Sequence, residues 1–234
     1  MIKFFAFALF AGLIALSGAS NQELPDWENP HVIGRNREPA HATITPYPDR
    51  DSALKGSGSP FAMSLNGAWK FNWVKTPSER PQDFYKPGFV VSKWKEIPVP
   101  SDWMAYGYDV PIYSNVVYPF KKDAPRVMEE PDKSWTSYIN RNPVGSFRRT
   151  FNLPDDWQGR QAFLVFDGVN SAFYVWVNGE MVGYGEDSRL PSEFNITKYL
   201  KPGENMIAVE VYRWCDGSYL EDQDFWRMAG IFRK

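Results

Sequence analysis

The stretch of the sequence with the densest polar chemistry covers residues 213–227. It mixes carboxylates with aromatic rings, and the members of this mixture are Asp216, Tyr219, Glu221, Asp222, Asp224, Phe225 and Trp226. A carboxylate accepts strong hydrogen bonds from sugar hydroxyls, and the apolar face of a pyranose stacks on an aromatic ring. A sugar-binding loop is thus one interpretation of the stretch, and the pattern alone does not select it over the alternative. The alternative is a solvated acidic turn that a tryptophan anchors to the core.

Two carboxylates of this stretch, Asp222 and Asp224, are close neighbours in the sequence. A retaining glycosidase needs two carboxyl groups about 5 Å apart, one protonated and one ionised. Solvated neighbours on one loop lack the contrasting environments that such a pair requires. We therefore assign no catalytic acid or nucleophile to this chain.

Three further clusters combine polar and aromatic residues. Residues 183–192 predict a glycine-bounded loop closed by an Asp187–Arg189 pair. The aromatic residues of the segment 106–118 are candidates either for the core or for a saccharide groove. Residues 26–30 offer oxygen atoms that could bind a hard cation, or they form a simple turn.

Histidine and cysteine are too few for the common metal and nucleophile sites. The sequence has His31, His41 and Cys215, and no other residue of either type. This set makes neither a zinc site nor a Ser-His-Asp triad, and a single cysteine has no intramolecular disulfide partner. Cys215 is either a reactive thiol or, as its neighbour Trp214 favours, a small buried hydrophobic residue.

The composition narrows the fold and the partners. The chain has 234 residues with 26 Lys and Arg against 28 Asp and Glu, a formal net charge of -2. This balance removes the electrostatic basis for tight nucleic-acid binding. Aromatic residues make up 17% of the chain, and 19 prolines and 17 glycines interrupt it. Such a mixture favours short strands and loops, which predicts an all-β fold.

The N-terminal segment 1–19 resembles a secretory signal peptide. It has Lys3, an apolar run over residues 4–16, and the small residues Ser17 and Ala19 near the expected cleavage point. The run is shorter than the roughly 18 to 20 residues of a membrane span, and an uncleaved anchor is the alternative reading. We expect export to the periplasm or the extracellular space, and we expect residues 20–60 to form an extended arm.

The rest of the chain, residues 61–234, reads as one β domain. The clearest signals are the alternation of Trp69, Phe71 and Trp73 and the Asn178-Gly179 dipeptide of a type I′ hairpin. Further strands are predicted over residues 146–153, 162–166, 172–177, 181–184 and 206–214. Residues 78–85 predict a short helix, and residues 94–100 predict an edge strand because prolines cannot donate ladder hydrogen bonds. Long, uneven connections favour a jelly-roll β-sandwich over a barrel.

Taken together, the clusters resemble the N-terminal region of the long bacterial β-galactosidases of glycoside hydrolase family 2. The matching segments run in order through most of the chain, and they are residues 26–30, 64–67, 107–109, 111–113, 166–173, 187–194 and 216–232. The resemblance implies a galactose-binding-domain-like jelly roll that contributes one wall of an active site. It also implies a separate downstream barrel that carries two catalytic glutamates, so we expect the chain to stop before that barrel.

The resemblance assigns ligands as well as a fold. Asn115 matches an asparagine that hydrogen-bonds the galactosyl group. Asp224 matches an aspartate that contacts galactose hydroxyls and helps to hold Na⁺. A peripheral Mg²⁺ site is implied at Asp26, Asn29, the Val32 carbonyl, Glu186 and Asp216, where Glu186 departs from the glutamine of the best-known member. The loop at residues 121–142 is longer than in that member, so its contacts do not carry over.

The resemblance implies a function for the whole protein. We expect a retaining β-galactosidase that acts on terminal β-galactosides, is a homo-oligomer at full length and is inactive as this 234-residue chain alone. The alternatives are a free-standing carbohydrate-binding module and a β-glucuronidase or β-mannosidase of the same family. The first alternative predicts no downstream barrel, and the second predicts a different sugar specificity.

Overall fold

The computed structural model describes residues 24–56, 58–221 and 224–234. The segment 1–19, expected to be a signal peptide, lies outside these ranges. The strands of the described residues are β1 (Gly34–Arg35), β2 (Gly67–Val74), β3 (Lys95–Val99), β4 (Ile112–Ser114), β5 (Val144–Asn152), β6 (Phe163–Phe166), β7 (Val169–Asn170), β8 (Ala172–Val177), β9 (Glu180–Gly185), β10 (Ser192–Asn195), β11 (Glu204–Tyr212), β12 (Phe225–Arg227) and β13 (Gly230–Ile231).

Helices in the same ranges are short. The α-helix α1 spans Arg50–Lys55, and the 3-10 turns are Asp26–Glu28, Pro77–Glu79, Trp103–Tyr106, Thr136–Tyr138, Asp155–Trp157, Thr197–Tyr199 and Asp216–Tyr219. Within the described ranges, no helix has the length and apolar character needed to cross a membrane. The all-β expectation is confirmed.

The main sheet has seven antiparallel strands in the order β1-β9-β8-β11-β5-β2-β3. Its centre is β11, which pairs with β5 on one side and with β8 on the other. The Asn178-Gly179 turn between β8 and β9 has φ values of 53° and 92°, as the hairpin prediction requires. Strand β3 contains Pro98 and lies at the edge of the sheet, which confirms the edge-strand prediction.

The second layer of the sandwich consists of strand pairs that cover one face of this sheet. The pairs are β6 with β10 and β7 with β13. A third pair, β4 with β12, packs its Ile112 against the second hydrophobic cluster, which contains Tyr212. The main hydrophobic core lies between the layers, where Ile207, Val209 and Val211 of β11 join Leu164 of β6 and Phe194 of β10. Burying each such side chain contributes about 1.5 to 3 kcal/mol, so this contact holds the layers together.

The opposite face of the sheet is also covered. Tyr212 and Glu210 of β11 are buried there, although simple strand alternation predicts a solvent-facing side. The ring of Trp27 stacks on that of Tyr212 with a centroid distance of 5.3 Å, and the Tyr85 ring stacks on Trp176 of β8 at 4.9 Å. The arm and the segment after β2 therefore cover this face.

The short helix predicted over residues 78–85 is wrong. The helical element that forms in this region is the 3-10 turn Pro77–Glu79, and Pro81 follows two residues after its end. Proline lacks the backbone N–H that would extend the helix, and the chain instead buries Phe84 completely against Trp176. The tertiary contact therefore overrides the local pattern.

Candidate functional site

The first candidate site lies at the end of the two-stranded ladder that β4 and β12 form. In its register, Phe225 pairs with Ser114 and Trp226 with Tyr113. Asn115 follows β4 and Asp224 precedes β12, so these two residues meet at the same end of the ladder. Both are exposed, and the Tyr113 hydroxyl donates a hydrogen bond to Oδ1 of Asp224. The structure thus brings together the two residues that were assigned to the substrate.

Aromatic rings surround this end of the ladder. Tyr113, Phe225 and Trp226 remain about half exposed, and the Tyr113 and Trp226 rings lie 5.6 Å apart. The Arg189 guanidinium lies 4.8 Å from the centroid of the Phe225 ring. Exposed rings beside a carboxylate and an amide provide both a stacking surface and hydrogen-bond partners for a neutral sugar.

A buried arginine behind the ladder holds its two strands, and the sequence reasoning missed it. Arg213 forms an ion pair with Asp109, whose side chain is 0% exposed. The same guanidinium donates to the Val110 carbonyl before β4 and to the Arg227 carbonyl in β12, at 2.9 and 2.8 Å. In addition, the Arg227 Nε donates to the Ser114 hydroxyl. The available sequence signal was Arg213 itself, a charged residue directly after a buried strand.

Ser188 joins two of the sequence clusters. Its hydroxyl lies 3.1 Å from Oδ1 of Asn170 and 2.6 Å from Oε2 of Glu221. Arg189, beside it, places its guanidinium over the Phe225 and Phe232 rings. The Asp187–Arg189 ion pair expected for this loop stays a prediction. Residues 183–192 therefore pack against the acidic stretch and support it.

The second candidate site is a buried carboxylate cluster. Ligand atoms of Glu186, Cys215 and Asp216 all lie within 4.8 Å of one another. Burial, together with the nearby Asp216 charge, raises the pKa of Glu186 to about 9, and the Tyr184 hydroxyl donates to its Oε1. Cys215 is fully buried, which confirms its reading as a small buried residue, and burial raises the pKa of its thiol well above its usual range.

The oxygen atoms of this cluster suit a hard cation. Oδ1 of Asp216 is buried without a hydrogen-bond partner, which is an unusual arrangement for a carboxylate. Two carboxylates with an unsatisfied oxygen form a donor set that Mg²⁺ or Ca²⁺ accepts more readily than Zn²⁺ does. The residues present at Glu186 and Asp216 therefore fit a divalent cation.

The arm brings the remaining expected ligands to the same side of the sheet. β1 pairs with the end of β9, and the Glu186 N–H donates to the Ile33 carbonyl at 3.3 Å, next to Val32. Asn29 accepts a hydrogen bond from the His31 N–H through its Oδ1 at 3.2 Å. Asp26 accepts two hydrogen bonds of 2.7 Å from Arg35, and this guanidinium lowers the pKa of the Asp26 carboxyl. The Asp26 charge is thus compensated within the arm.

The fold and the first site define a class, an all-β sandwich with an exposed surface suited to sugars. Comparison of the sequence with known protein families agrees with this class. The family described as "Glycosyl hydrolases family 2, sugar binding domain" matches residues 62–234. The chain belongs to glycoside hydrolase family 2.

Curated relatives have a high sequence identity to most of this chain. The chain is 49% identical over 212 residues to a beta-galactosidase of Priestia megaterium, covering 89% of this chain and 20% of the relative. It is 46% identical over 209 residues to beta-galactosidase 2 of Enterobacter cloacae, covering 89% and 19%. The chain therefore spans about a fifth of the length of the curated relatives that it matches.

Solved structures show the fold. A beta-glucuronidase of Bacteroides uniformis and the beta-glucuronidase 2 of the same organism, the latter covalently bound to cyclophellitol-6-carboxylate aziridine, each match with a TM-score of 0.51 and 24% identity. Each match covers 73% of this chain and 17% of the other. At this identity the similarity establishes the sandwich architecture only.

Proposed function

We propose that this chain is the N-terminal part of a retaining β-galactosidase that hydrolyses terminal non-reducing β-D-galactose residues. In this proposal the region forms a substrate-binding wall of the active site. The observation that carries it is the meeting of Asn115 and Asp224 at one end of the β4–β12 ladder. Identities of 46–49% to proteins named beta-galactosidase support the choice of sugar.

The chemistry of the ladder end suits galactose. The Asp224 carboxylate accepts hydrogen bonds from sugar hydroxyls, and the Asn115 amide both donates and accepts. The half-exposed rings of Tyr113 and Trp226 offer apolar surface to the pyranose. The acid and the nucleophile of a retaining glycosidase are two carboxyl groups about 5 Å apart, and the proposal places both in a downstream barrel.

The nearest rival is a β-glucuronidase, because solved structures with the same fold carry that name. A glucuronide brings its own carboxylate, and the exposed Asp224 would repel it at close range. The ladder end offers this repulsion to a uronate but not to neutral galactose. The proposal therefore ranks galactosides above glucuronides.

Two ions belong to the proposal. Glu186 and Asp216, with Asp26, Asn29 and the Val32 carbonyl from the arm, would hold Mg²⁺ and so fasten the arm to the sheet. Asp224 would contribute one ligand to Na⁺ beside the substrate. The buried, unpartnered Oδ1 of Asp216 supports the first assignment, and the exposed carboxylate of Asp224 is compatible with the second.

Export and assembly complete the proposal. Residues 1–19 would direct the protein to the periplasm or the extracellular space and then be removed. N-terminal sequencing of secreted protein tests this, since a mature chain that retains Met1 would contradict cleavage. The full-length enzyme is proposed to be a homo-oligomer, which light scattering of that enzyme measures directly.

A substrate panel tests the function. The proposal requires a longer polypeptide in which this chain precedes a barrel, and that polypeptide is assayed with aryl β-galactoside, β-glucuronide and β-mannoside. We expect the galactoside to be cleaved with the highest kcat/KM and with β-galactose as the first product. Preference for either other glycoside would replace the sugar assignment, and no cleavage of any of them would favour a carbohydrate-binding module.

A further inference from the structure

An open groove adjoins the ladder end and has no role in the proposal so far. Its walls are residues 116–118, 120–122, 130–132 and Trp135, and we call it the loop groove. Its volume is about 560 Å³. Small-ligand sites typically measure about 300 to 1,000 Å³, so the loop groove can hold one or two sugar rings.

The loop groove lies next to Asn115, because the residues that follow Asn115 in the chain line it. Asn115 is followed directly by Val116 and Val117, which line the groove and are 86% and 54% exposed. Two apolar side chains therefore lie in solvent immediately beyond a residue assigned to the galactosyl group. A ligand bound at Asn115 that continued in this direction would cover them.

The segment that joins the lining residues Lys122 and Glu130 is held in place from two sides. Oε1 of Glu28, a carboxylate only 6% exposed, accepts the N–H groups of Val127 and Met128 at 2.7 and 3.0 Å. The Tyr219 hydroxyl accepts the Asp123 N–H at 2.9 Å and donates to the Arg126 carbonyl at 2.7 Å. These bonds order this joining segment before any ligand arrives, which favours binding.

Trp135 is held by a turn of its own. Its backbone N–H donates to the Asp132 carbonyl at 3.0 Å, and Oδ1 of Asp132 accepts both the N–H and the hydroxyl of Ser134. The groove thus presents an indole ring and two valines, with the charged side chains of Lys122 and Glu130 in the same lining. A pyranose has the matching pattern of an apolar face with a rim of hydroxyls.

We propose that the loop groove is a second saccharide subsite, which binds the sugar attached to the anomeric oxygen of the galactosyl group. This inference rests on the proposed function, since it takes the galactosyl unit to lie at Asn115 and Asp224. It assigns to residues 121–142 a role in choosing the leaving group, with Trp135 as the stacking surface. Glu28 and Tyr219 act as positioning residues that hold the segment joining Lys122 to Glu130.

The test compares two galactosyl donors in the longer polypeptide. A β-galactosyl disaccharide fills the groove, whereas β-galactosyl fluoride has a single-atom leaving group that cannot reach it. Replacing Trp135→Ala should lower kcat/KM for the disaccharide about tenfold, as expected for the loss of about 1.4 kcal/mol of ring contact. The value for the fluoride should stay unchanged.

Trp157→Ala is the matched control, because this half-buried tryptophan contacts the Pro60 carbonyl and lines no part of the groove. This substitution should leave kcat/KM unchanged for both donors. The inference would be overturned if Trp135→Ala lowered kcat/KM equally for both donors, or lowered it for neither. If the unaltered polypeptide cleaves neither donor, the proposed function fails first, and this outcome is distinguishable from the other two.

A binding measurement on the unaltered 234-residue chain covers the case in which Trp135→Ala does not fold. With ¹⁵N-labelled tryptophan, titration with the β-galactosyl disaccharide should shift the Trp135 indole resonance and leave that of Trp157 in place. Galactose alone should leave both in place. An unmoved Trp135 resonance up to the solubility limit of the disaccharide would refute the subsite.

Discussion

Arg213 and Asp109 form a buried ion pair directly behind the candidate sugar surface, with their side chains 1% and 0% exposed. Because Arg213 also donates to carbonyls before β4 and within β12, one guanidinium joins both strands of the ladder. The amide of Asn140 donates to the other oxygen of Asp109 at 2.8 Å. The sugar surface therefore depends on a buried polar network that lies behind it.

Replacing Arg213→Met should destabilise the chain by about 3 to 5 kcal/mol, because the Asp109 carboxylate would stay buried without its partner. Urea unfolding of the 234-residue chain measures this change. The exposed pair of Arg126 and Asp123 is the control, and Arg126→Met should cost less than about 1 kcal/mol. Equal losses in the two variants would show that burial does not set the strength of the Arg213 pair.

Magnesium should stabilise the chain through the carboxylate cluster. A cation that binds only the folded state at 100 times its Kd adds about 2.7 kcal/mol, which raises Tm. Asp216→Asn should remove most of this increase, since it removes the charge at the unpartnered oxygen. Asp156→Asn, at an exposed carboxylate outside both sites, should keep it. Thermal scans with and without MgCl₂ measure this change in Tm. An increase in Tm of the same size in Asp216→Asn and in the unaltered chain would contradict the assignment.

The buried carboxyl of Glu210 should make the stability of the folded chain depend on pH. Burial raises the pKa of this carboxyl above its unfolded value, although Arg80 and the Tyr212 hydroxyl both donate to it. The folded chain thus holds this proton more tightly than the unfolded chain, so the contribution of Glu210 to stability is greatest below about pH 4.5 and declines as pH rises through the folded pKa.

Glu210→Gln removes that decline. The stability of the variant relative to the unaltered chain should therefore rise with pH above about 4.5. Urea unfolding at a series of pH values measures the difference, and Glu204→Gln, an exposed position at the start of the same strand, supplies the reference slope. A relative stability that falls with increasing pH would mean that Arg80 outweighs burial at this site.

The 234-residue chain alone should not hydrolyse an aryl β-galactoside, because the proposal places the acid and the nucleophile in the barrel. A prolonged assay at high protein concentration measures this. Turnover that survived repeated purification would contradict the expectation, and its sensitivity to Asp224→Ala would then show whether the ladder end takes part.

Local features of the fold could be predicted from the sequence because neighbouring residues determine them. The Asn178-Gly179 turn requires positive φ at two successive positions, and the alternation of Trp69 and Phe71 indicates a strand without any knowledge of its partners. The edge position of β3 likewise follows from its proline. Each of these predictions uses a few adjacent residues.

The supporting contacts of the site could not be predicted because they join distant parts of the chain. Arg213 and Asp109 are 104 residues apart, and Glu28 and Val127 are 99 residues apart. No local pattern indicates which carboxylate an arginine will meet across such a separation. Asn115 and Asp224 were found through the family resemblance, and only the strand register shows that they lie at one end of a ladder.

The most direct test of the central claim is the kcat/KM of Asp224→Ala for an aryl β-galactoside, measured in the longer polypeptide. Losing hydrogen bonds from a charged acceptor costs about 1.5 to 3 kcal/mol, so we expect a decrease of roughly 10- to 150-fold. Asp156→Ala should retain full activity. A kcat/KM for Asp224→Ala equal to that of the unaltered enzyme would remove the β4–β12 ladder from the active site.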